Sequence, residues 1–219
     1  MVYDALIFDI DGTLWDSCEA VRQSWARSLY QRYGCCDAPD LEQVRSIMGL
    51  APDEIAQRLF SGFAPRAREV FDTLSEDECA FLAANGADVY PGVLEGLRAL
   101  AKTRRLFLVS NCQRGYFETF LSSNALDGLF ESCLSAGLTG LDKAGNLQKL
   151  MRERGLSRAV FVGDTLSDER AARQAGCAFI HAAYGFGTAE SPDAVISSFT
   201  ALPEALERLE KEGTACPRP

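Results

Sequence analysis

A regular alternation of helical segments with short apolar runs after Pro91-Gly92 is the feature that most restricts the fold. Apolar runs at Leu106–Val109, Ala159–Val162 and Ala178–Ile180 are separated by segments whose apolar residues have helical spacing. Such alternation is typical of right-handed βαβ units, which build a parallel sheet with helices on both faces. The sequence therefore predicts an α/β fold with a parallel sheet, whose first strand lies within Val2–Phe8.

A purely helical stretch separates that first strand from the alternating region. Its first helix is marked by Val21, Trp25, Leu29 and Tyr33, which recur at every fourth residue and are followed by Gly34 as a stop signal. Helical spacing continues to Gly86, and no strand is predicted from 16 to 86. We expect residues 1–15 and 87–212 to form the α/β core, residues 16–86 an inserted helical domain, and residues 213–219 a flexible tail.

Composition limits the classes of function. A chain of 219 residues that is 47% hydrophobic can bury a core of this size. Its net charge of −9, without clustered lysine and arginine, argues against nucleic acid as a partner. No apolar stretch approaches the roughly 20 residues that a membrane span needs. The eight cysteines lack Cys-x-x-Cys spacing and no secretory signal precedes them, so we expect reduced thiols in a cytoplasmic protein.

Polar side chains follow the apolar runs at the points where strands should end. In a parallel sheet, ligands bind beyond the carboxyl ends of the strands, so these side chains are expected to share one site, together with a lysine that falls between them in sequence. The candidate residues are Asp9, Asp11, Ser110, Asn111, Lys143, Asp164 and Asp168.

Asp9 and Asp11 pose an electrostatic problem that a cation would solve. In extended backbone, residues two apart point to the same side, so the two carboxylates would crowd one small volume. Several carboxylates at one sheet edge favour a hard cation such as Mg²⁺, which also binds phosphate. Ser110 and the amides after Asp9 can donate hydrogen bonds to a phosphate, Lys143 adds positive charge, and one carboxylate could attack phosphorus.

Four segments, FDIDGTL, LVSN, the lysine of LDKAGN and VGDTLSD, resemble motifs I to IV of the haloacid dehalogenase (HAD) superfamily, in the expected order. The stretches DERAARQAG and AYGFG further resemble its phosphoglycolate phosphatase-like branch, and the helical stretch after the first motif resembles a C1 cap. The resemblance implies a Rossmann-like core with a helical cap, Mg²⁺ as cofactor, and hydrolysis of a small phosphorylated metabolite through an aspartyl-phosphate intermediate.

The resemblance also implies a role for each acid. Asp9 would be the nucleophile and a Mg²⁺ ligand. Asp11 would protonate the leaving alcohol and then activate water, while its backbone carbonyl binds Mg²⁺. Asp164 would be a direct Mg²⁺ ligand, and Asp168 would act through a water or by orienting Lys143.

The remaining roles concern the phosphate group. Lys143 would stabilise Asp9 and the phosphoryl charge; Lys102 and Lys149 are competing candidates, interpreted as solvated lysines on helix surfaces. Many relatives have proline after this lysine, where Ala144 stands here. The residues expected to bind the phosphate alongside Lys143 are Gly12, Thr13, Ser110 and Asn111.

Other functions fit the sequence less well. A β-phosphoglucomutase-like phosphomutase would have a histidine in the first cap helix, where Val21 stands, and a dehalogenase would lack the second acid, Asp11. A phosphonate hydrolase would need a cap lysine, and residues 14–86 contain none. A non-catalytic phosphate-binding protein should have lost a nucleophile or metal acid, whereas all four motifs are filled. His181 is interpreted as structural, and Met48-Gly49-Leu50 as a loop that reaches the substrate.

Overall fold

The computed structural model describes residues 3–215. The strands are β1 (Ala5–Phe8), β2 (Trp15–Asp16), β3 (Asp88–Val89), β4 (Arg105–Ser110), β5 (Ser132–Ser135), β6 (Ala159–Gly163), β7 (Ala178–Ala182) and β8 (Ala194–Ile196). The α-helices are α1 (Cys18–Tyr33), α2 (Leu41–Ile47), α3 (Pro52–Leu59), α4 (Ala67–Asn85), α5 (Val93–Leu100), α6 (Tyr116–Ser123), α7 (Ala136–Thr139), α8 (Lys143–Arg154), α9 (Leu166–Ala175) and α10 (Leu202–Ala215). Short 3-10 helices occupy Ser61–Phe63 and Phe199–Ala201.

Six strands form one parallel sheet in the order β5-β4-β1-β6-β7-β8. The chain starts in the middle at β1, adds β4 and β5 on one side, and then crosses to add β6, β7 and β8 on the other. The strand order therefore reverses at β1, and the crevice at the carboxyl ends of β1, β4 and β6 is where proteins of this class bind ligands. The predicted α/β fold with a parallel sheet is confirmed.

Each face of the sheet has its own apolar core, because successive side chains of a strand point to opposite sides. Leu6 and Phe8 pack with helices α5, α6 and α10 on one face. Ala5 and Ile7 pack with α8 and α9 on the other face. Burial on both faces explains why the first strand is a continuous apolar run rather than an alternating one.

Helices α1–α4, which we call the helical insert, pack around a third apolar core. The Trp25 ring makes edge contacts with Phe60 and Phe71, with ring centroids 5.4 and 6.0 Å away. Helix α1 ends at Gly34, whose left-handed conformation (φ 63°) is the usual way for a glycine to close a helix. The predicted helical character of this stretch is confirmed.

The sequence did not reveal how the insert is attached. Strands β2 and β3 pair antiparallel, Trp15 with Val89 and Asp16 with Asp88, so the two connections to the sheet run side by side. Strands of two residues are too short to leave a periodic signal. Strand β8 and helix α7 were also not predicted, for the same reason of length.

Two further features concern the chain as a whole. Helix α10 continues to Ala215, into the segment 213–219 for which a flexible tail was predicted, and residues 216–219 lie outside the described range. Within residues 3–215, no helix combines the length and apolar character needed to cross a membrane. The cysteines of the described range are all free thiols.

Candidate active site

The predicted site residues lie at the carboxyl ends of the three central strands. Asp9 directly follows β1, Ser110 is the last residue of β4, and Asp164 directly follows β6. Strands β4 and β6 both pair with β1, so these three positions are neighbours across the sheet. Asp9 is fixed further by its backbone N–H, which donates to the carbonyl of Val162 at 2.9 Å. The topology thus brings residues that are far apart in sequence to one edge.

Lys143 supplies a buried positive charge to this edge. It is the first residue of α8 and is only 3% exposed. Its Nζ lies 3.0 Å from Asp9 Oδ2 and 2.5 Å from Asp168 Oδ1. Burial alone would lower the pKa of Lys143, but Asp168 and Asp9 outweigh it and raise the pKa above its usual value. Lys143 lies at the start of α8, where the positive end of the helix dipole disfavours a cation. The two carboxylates offset this unfavourable interaction.

Both carboxylate oxygens of Asp168 accept hydrogen bonds from the protein, and one of these bonds comes from Lys143. Its Oδ2 accepts hydrogen bonds from the Thr165 backbone N–H and hydroxyl at 3.0 and 2.7 Å, which closes a capping box at the start of α9. Its Oδ1 accepts from Lys143. Both oxygens therefore have protein donors, which agrees better with orienting Lys143 than with direct metal binding.

Asp9, Asp164 and Asp168 together form a group that could hold a metal ion. One carboxylate oxygen from each lies within 4.8 Å of the others. Burial raises the pKa of Asp9 and of Asp164, even though Lys143 lowers both. Asp9 Oδ1 and Asp164 Oδ1 are buried oxygens without a hydrogen-bond partner among the described residues. The unpaired oxygens of Asp9 and Asp164 fit a divalent cation, with Asp168 holding Lys143 beside them, and an all-oxygen donor set favours Mg²⁺.

The Asp11 carboxylate lies apart from that group and has a different environment. Its Oδ1 accepts three hydrogen bonds, from Trp15 Nε1 at 3.0 Å, Ser17 Oγ at 2.7 Å and the Tyr116 hydroxyl at 2.6 Å. Burial nevertheless raises the pKa of Asp11 above its usual value, because desolvation exceeds the effect of these donors. No donor among the described residues is bonded to Oδ2, so that oxygen can exchange a proton with a ligand. Asp9 and Asp11 therefore have unlike surroundings, although only one residue separates them.

Position 12 requires a glycine because the Asp164 side chain approaches its backbone closely. Its φ is +76°, and a Cβ at this position would lie 2.1 Å from Asp164 Oδ2. Gly185 packs equally tightly, since its Cβ would lie 2.2 Å from the Gly12 carbonyl oxygen. The neighbouring Phe186 N–H donates to Asp164 Oδ2 at 2.7 Å. The loop after β1 and the loop after β7 therefore hold the Asp164 carboxylate between them.

We expect Gly12→Ala to damage both stability and activity. Gly34, with φ +63° and no atom within 4 Å of its Cβ position, is the matched control. Gly34→Ala should lower the free energy of unfolding by about 1–2 kcal/mol from backbone strain alone. Gly12→Ala should add about 1–3 kcal/mol of overpacking and displace Asp164. Urea denaturation and turnover assays on both variants measure this, and equal losses would contradict the close-approach argument.

The residues predicted to bind phosphate have different surroundings. Ser110 is buried at the cavity wall, and its hydroxyl accepts from the Cys112 N–H at 3.3 Å. Asn111 donates from Nδ2 to the Gly49 carbonyl of the helical insert at 2.8 Å, so its side chain bridges the two parts of the chain. The Thr13 hydroxyl is buried without a partner in the described range. Ser110 and Asn111 line the same cavity as Asp9 and Asp11, whereas Gly12 and Thr13 are not among its lining residues.

The cavity lies between the sheet edge and the helical insert and has a volume of about 50 Å³. The sheet side contributes Asp9, Asp11, Ser110 and Asn111, and the insert side is mainly apolar. The loop predicted to reach the substrate, 48–50, does line it. The insert therefore covers the polar edge and shapes the space beyond it.

Sequence reasoning missed four side chains at this site. Ser17 precedes helix α1, and its hydroxyl donates to Asp11 instead of capping that helix. Tyr116, Glu78 and Gln113 also line the cavity, and they belong to no motif. His181, interpreted as structural, is buried with its Nε2 3.0 Å from the Asp164 carbonyl oxygen. No local pattern marks these positions, because only the packing of α4 against α1 and α6 brings them together.

Comparisons with known proteins agree with this arrangement. Residues 6–182 match the sequence model of a family described as haloacid dehalogenase-like hydrolase. The chain is 30% identical to a phosphoglycolate phosphatase of Pseudomonas putida, over 90% of this chain and 77% of that protein. It is also 30% identical to a phosphoglycolate phosphatase of Vibrio parahaemolyticus, over 92% of this chain and 95% of that protein. The crystal structure of a predicted phosphoglycolate phosphatase from Haemophilus somnus has the same fold, with a TM-score of 0.77, 24% identity, and coverage of 92% of this chain and 97% of that one.

Proposed function

The chain belongs to the haloacid dehalogenase-like hydrolase family and is a phosphatase, and we propose that it hydrolyses a small phosphate monoester with Mg²⁺ as cofactor through an aspartyl phosphate on Asp9. The observation that carries the proposal is the buried group of Asp9, Asp164 and Asp168, with two unpaired oxygens and Lys143 at its side. Phosphoglycolate is the substrate named for its relatives.

In the first step, a carboxylate oxygen of Asp9 attacks phosphorus and the bond from phosphorus to the alcohol oxygen breaks. Asp11 gives its proton to that oxygen, so the alcohol leaves neutral. In the second step, Asp11 takes a proton from a water that attacks the phosphorus of the aspartyl phosphate, and inorganic phosphate leaves as Asp9 is regenerated. The raised pKa of Asp11 suits a group that carries a proton in one step and accepts one in the next.

The cofactor would be held by Asp9 and Asp164, with the backbone carbonyl of Asp11 as the third protein ligand implied by the family resemblance. When bound, Mg²⁺ neutralises charge on the transferring phosphoryl group. Lys143 adds a fixed charge beside Asp9, and Ser110 and Asn111 would orient the phosphate oxygens. Asp168 keeps Lys143 in place.

Removal of the metal should abolish turnover. We expect the purified chain to release p-nitrophenol from p-nitrophenyl phosphate with added Mg²⁺, and the rate to fall by at least about a hundredfold with EDTA, because a bound metal contributes several kcal/mol to such a transition state. Restoration of the rate by excess Mg²⁺ is the control. Activity that is unchanged by EDTA and Mg²⁺ would contradict the assignment of the cofactor.

Asp11→Asn should separate the two chemical steps. The p-nitrophenolate leaving group needs no protonation, so Asp9 can still be phosphorylated, whereas hydrolysis should slow by about 10²–10⁴-fold without the base. We expect a burst of p-nitrophenol close to one per enzyme and an acid-stable phosphoenzyme. Asp16→Asn, which changes a partly exposed acid in the nearby strand β2, should show neither. Steady turnover of Asp11→Asn without a burst would contradict the division of roles.

We also propose that the helical insert is a cap that opens and closes over the site. Hydrogen bonds that cross the interface in this structure include those from Asn111 to the Gly49 carbonyl, from Gln113 to Glu78 and from the Ser123 hydroxyl to the Leu82 carbonyl. The paired segments β2 and β3 are where the connections could bend. Closure would exclude water while Asp9 is phosphorylated, and opening would admit it. Residues 1–15 with 87–212, and 16–86, remain the proposed domains.

The other functions weighed from the sequence are less well supported. Val21 lines the cavity at the position where a phosphomutase would need a histidine. A non-catalytic phosphate-binding protein would not need the complete set of buried acids and lysine described above. The free thiols of the described cysteines agree with the proposed cytoplasmic location.

A further inference from the structure

Glu78 is a buried carboxylate in the cavity that the proposed chemistry does not use. It lies on helix α4 of the insert and is 4% exposed. Its Oε2 accepts a hydrogen bond from Trp25 Nε1 at 2.6 Å, and its Oε1 accepts one from Gln113 Nε2 at 2.8 Å. Together these contacts fix the carboxylate between the insert and the loop after β4.

Both donors to Glu78 are neutral, which leaves its charge uncompensated. Its only described polar contacts are these two hydrogen bonds, and no ion pair to Glu78 is found within the described range. Burial raises the pKa of Glu78 to about 8, so the ionised form, which exists above that pH, is costly at this position and is stabilised by any ligand that donates to it. A buried carboxylate is normally paired, and a carboxylate oxygen can accept further hydrogen bonds. A ligand that donates to Glu78 would supply the missing partner.

The rest of the cavity wall also lacks positive charge. Among the described residues that line it, none is lysine, arginine or histidine. On the insert side, the cavity is otherwise lined mainly by apolar residues, among them Val21, Ile55 and Phe71. Asp9, Asp11, Ser110 and Asn111 line the same cavity, and with the phosphate bound among them, as proposed above, the alcohol of the ester lies in the part of the cavity that Glu78 and the insert line. A carboxylate on that alcohol would meet a second carboxylate and no cation.

We propose that Glu78 selects the alcohol part of the substrate, and that the enzyme prefers phosphate esters of small alcohols that carry a hydrogen-bond donor, a hydroxyl or an ammonium group, over esters whose alcohol carries a carboxylate. The inference rests on the proposed phosphatase function and refines its substrate class. The proposed preference differs from the substrate named for relatives of this chain. That substrate is phosphoglycolate, whose alcohol, glycolate, carries a carboxylate. The small cavity volume, about 50 Å³, favours an alcohol of few atoms.

Three esters with the same two-carbon skeleton test the inference: 2-aminoethyl phosphate, 2-hydroxyethyl phosphate and 2-phosphoglycolate. With Mg²⁺ present and at about pH 9, where a carboxyl with a pKa of about 8 is ionised, the wild-type enzyme should have a kcat/KM at least about tenfold higher for each of the first two than for phosphoglycolate, because like charges are opposed in the third. Glu78→Gln keeps the shape and removes the charge, so the ratio for the aminoethyl ester over phosphoglycolate should fall by at least about tenfold. Glu76→Gln, an exposed position on the same helix, should leave that ratio unchanged.

A wild-type preference for phosphoglycolate, or a ratio that Glu78→Gln does not change, would overturn the inference. The wild-type ratio decides even if Glu78→Gln folds poorly. Calorimetric binding of the three esters to the Asp9→Asn variant, with and without Glu78→Gln, tests the same order without turnover. Absence of turnover in the wild type, with this binding order retained, would count against the proposed hydrolysis and support the role of Glu78. Tighter binding of phosphoglycolate than of the other two esters would overturn that role directly.

Discussion

Asp9→Asn is expected to lower kcat/KM for any phosphate ester by at least about 10⁴-fold, the size of loss that follows removal of a catalytic nucleophile. An amide oxygen is a poor nucleophile and cannot form the aspartyl phosphate. The fold should survive, since the Asn side chain has the same shape and its oxygen can still accept from Lys143, now 3.0 Å from Asp9 Oδ2. Release of inorganic phosphate and acid-quenched phosphoenzyme are the two measurements.

A nearby position provides the control for Asp9→Asn. Asp142 is the N-cap of α8, directly before Lys143, and its side chain accepts from the Gly145 N–H at 2.7 Å. Asparagine caps helices as well as aspartate does, so Asp142→Asn should keep both stability and activity. If Asp9→Asn retained activity within about tenfold of the wild type, the nucleophile would have to be another residue.

Lys143→Met should have the largest effect on stability. The substitution keeps much of the side-chain volume but removes the one cation that the described structure places beside Asp9 and Asp168. Removal of one partner from a buried ion pair costs roughly 3–5 kcal/mol, and we expect the free energy of unfolding to fall by that amount. Loss of a fixed charge at the phosphoryl group should also lower kcat by about 10²–10³-fold. Urea denaturation and steady-state kinetics measure the two effects.

The stability loss in Lys143→Met should depend on pH. Burial already raises the pKa of Asp9 above its value in the unfolded chain, and without Lys143 that pKa rises further. A group whose pKa is raised on folding favours the folded state at low pH and disfavours it as the pH rises through the folded-state pKa. The difference from wild type should therefore be small at acid pH and grow toward neutral pH. A loss of unfolding free energy that is equal at acid and at neutral pH would indicate a packing defect rather than a missing charge.

Lys149 provides the matched control on the same helix. It is partly exposed, pairs with Glu153 one turn further along α8, and was a competing candidate for the motif III lysine. Lys149→Met should change the free energy of unfolding by less than about 1 kcal/mol, as is usual for an exposed pair, and leave turnover intact. The structure supports Lys143 over Lys149 and Lys102 because only Lys143 reaches the buried acids.

Much of the site was accessible from the sequence because its residues follow strands. Asp9, Ser110 and Asp164 come at the ends of buried runs, and the topology of a parallel sheet leaves only one edge for such positions. Lys143 was harder to place, since it starts a helix instead of ending a strand. The predicted pairing with Asp9 came from the family resemblance, and the contact at 3.0 Å supplies its physical basis.

Contacts between distant elements were beyond the reach of the sequence. Tyr116 lies 105 positions from Asp11 and donates to the same oxygen as Ser17. Glu78 and Gln113 are 35 positions apart and meet across the insert boundary. None of these residues stands out by type or spacing, because a hydrogen bond of this kind depends on how helices α4 and α6 pack and not on local periodicity.

The sequence by itself determined the class of fold, the helical character of residues between Cys18 and Asn85, and the set of acids at the sheet edge. These follow from local rules: the periodicity of apolar residues decides helix or strand, and alternation decides a parallel sheet. The tertiary structure decided the inequality of Asp9 and Asp11, one beside Lys143 and the other beneath three neutral donors. The tertiary structure also decided that Glu78 lines the cavity with no cation beside it among the described residues. Burial and hydrogen-bond partners depend on how distant segments pack, so a short segment of sequence does not determine them.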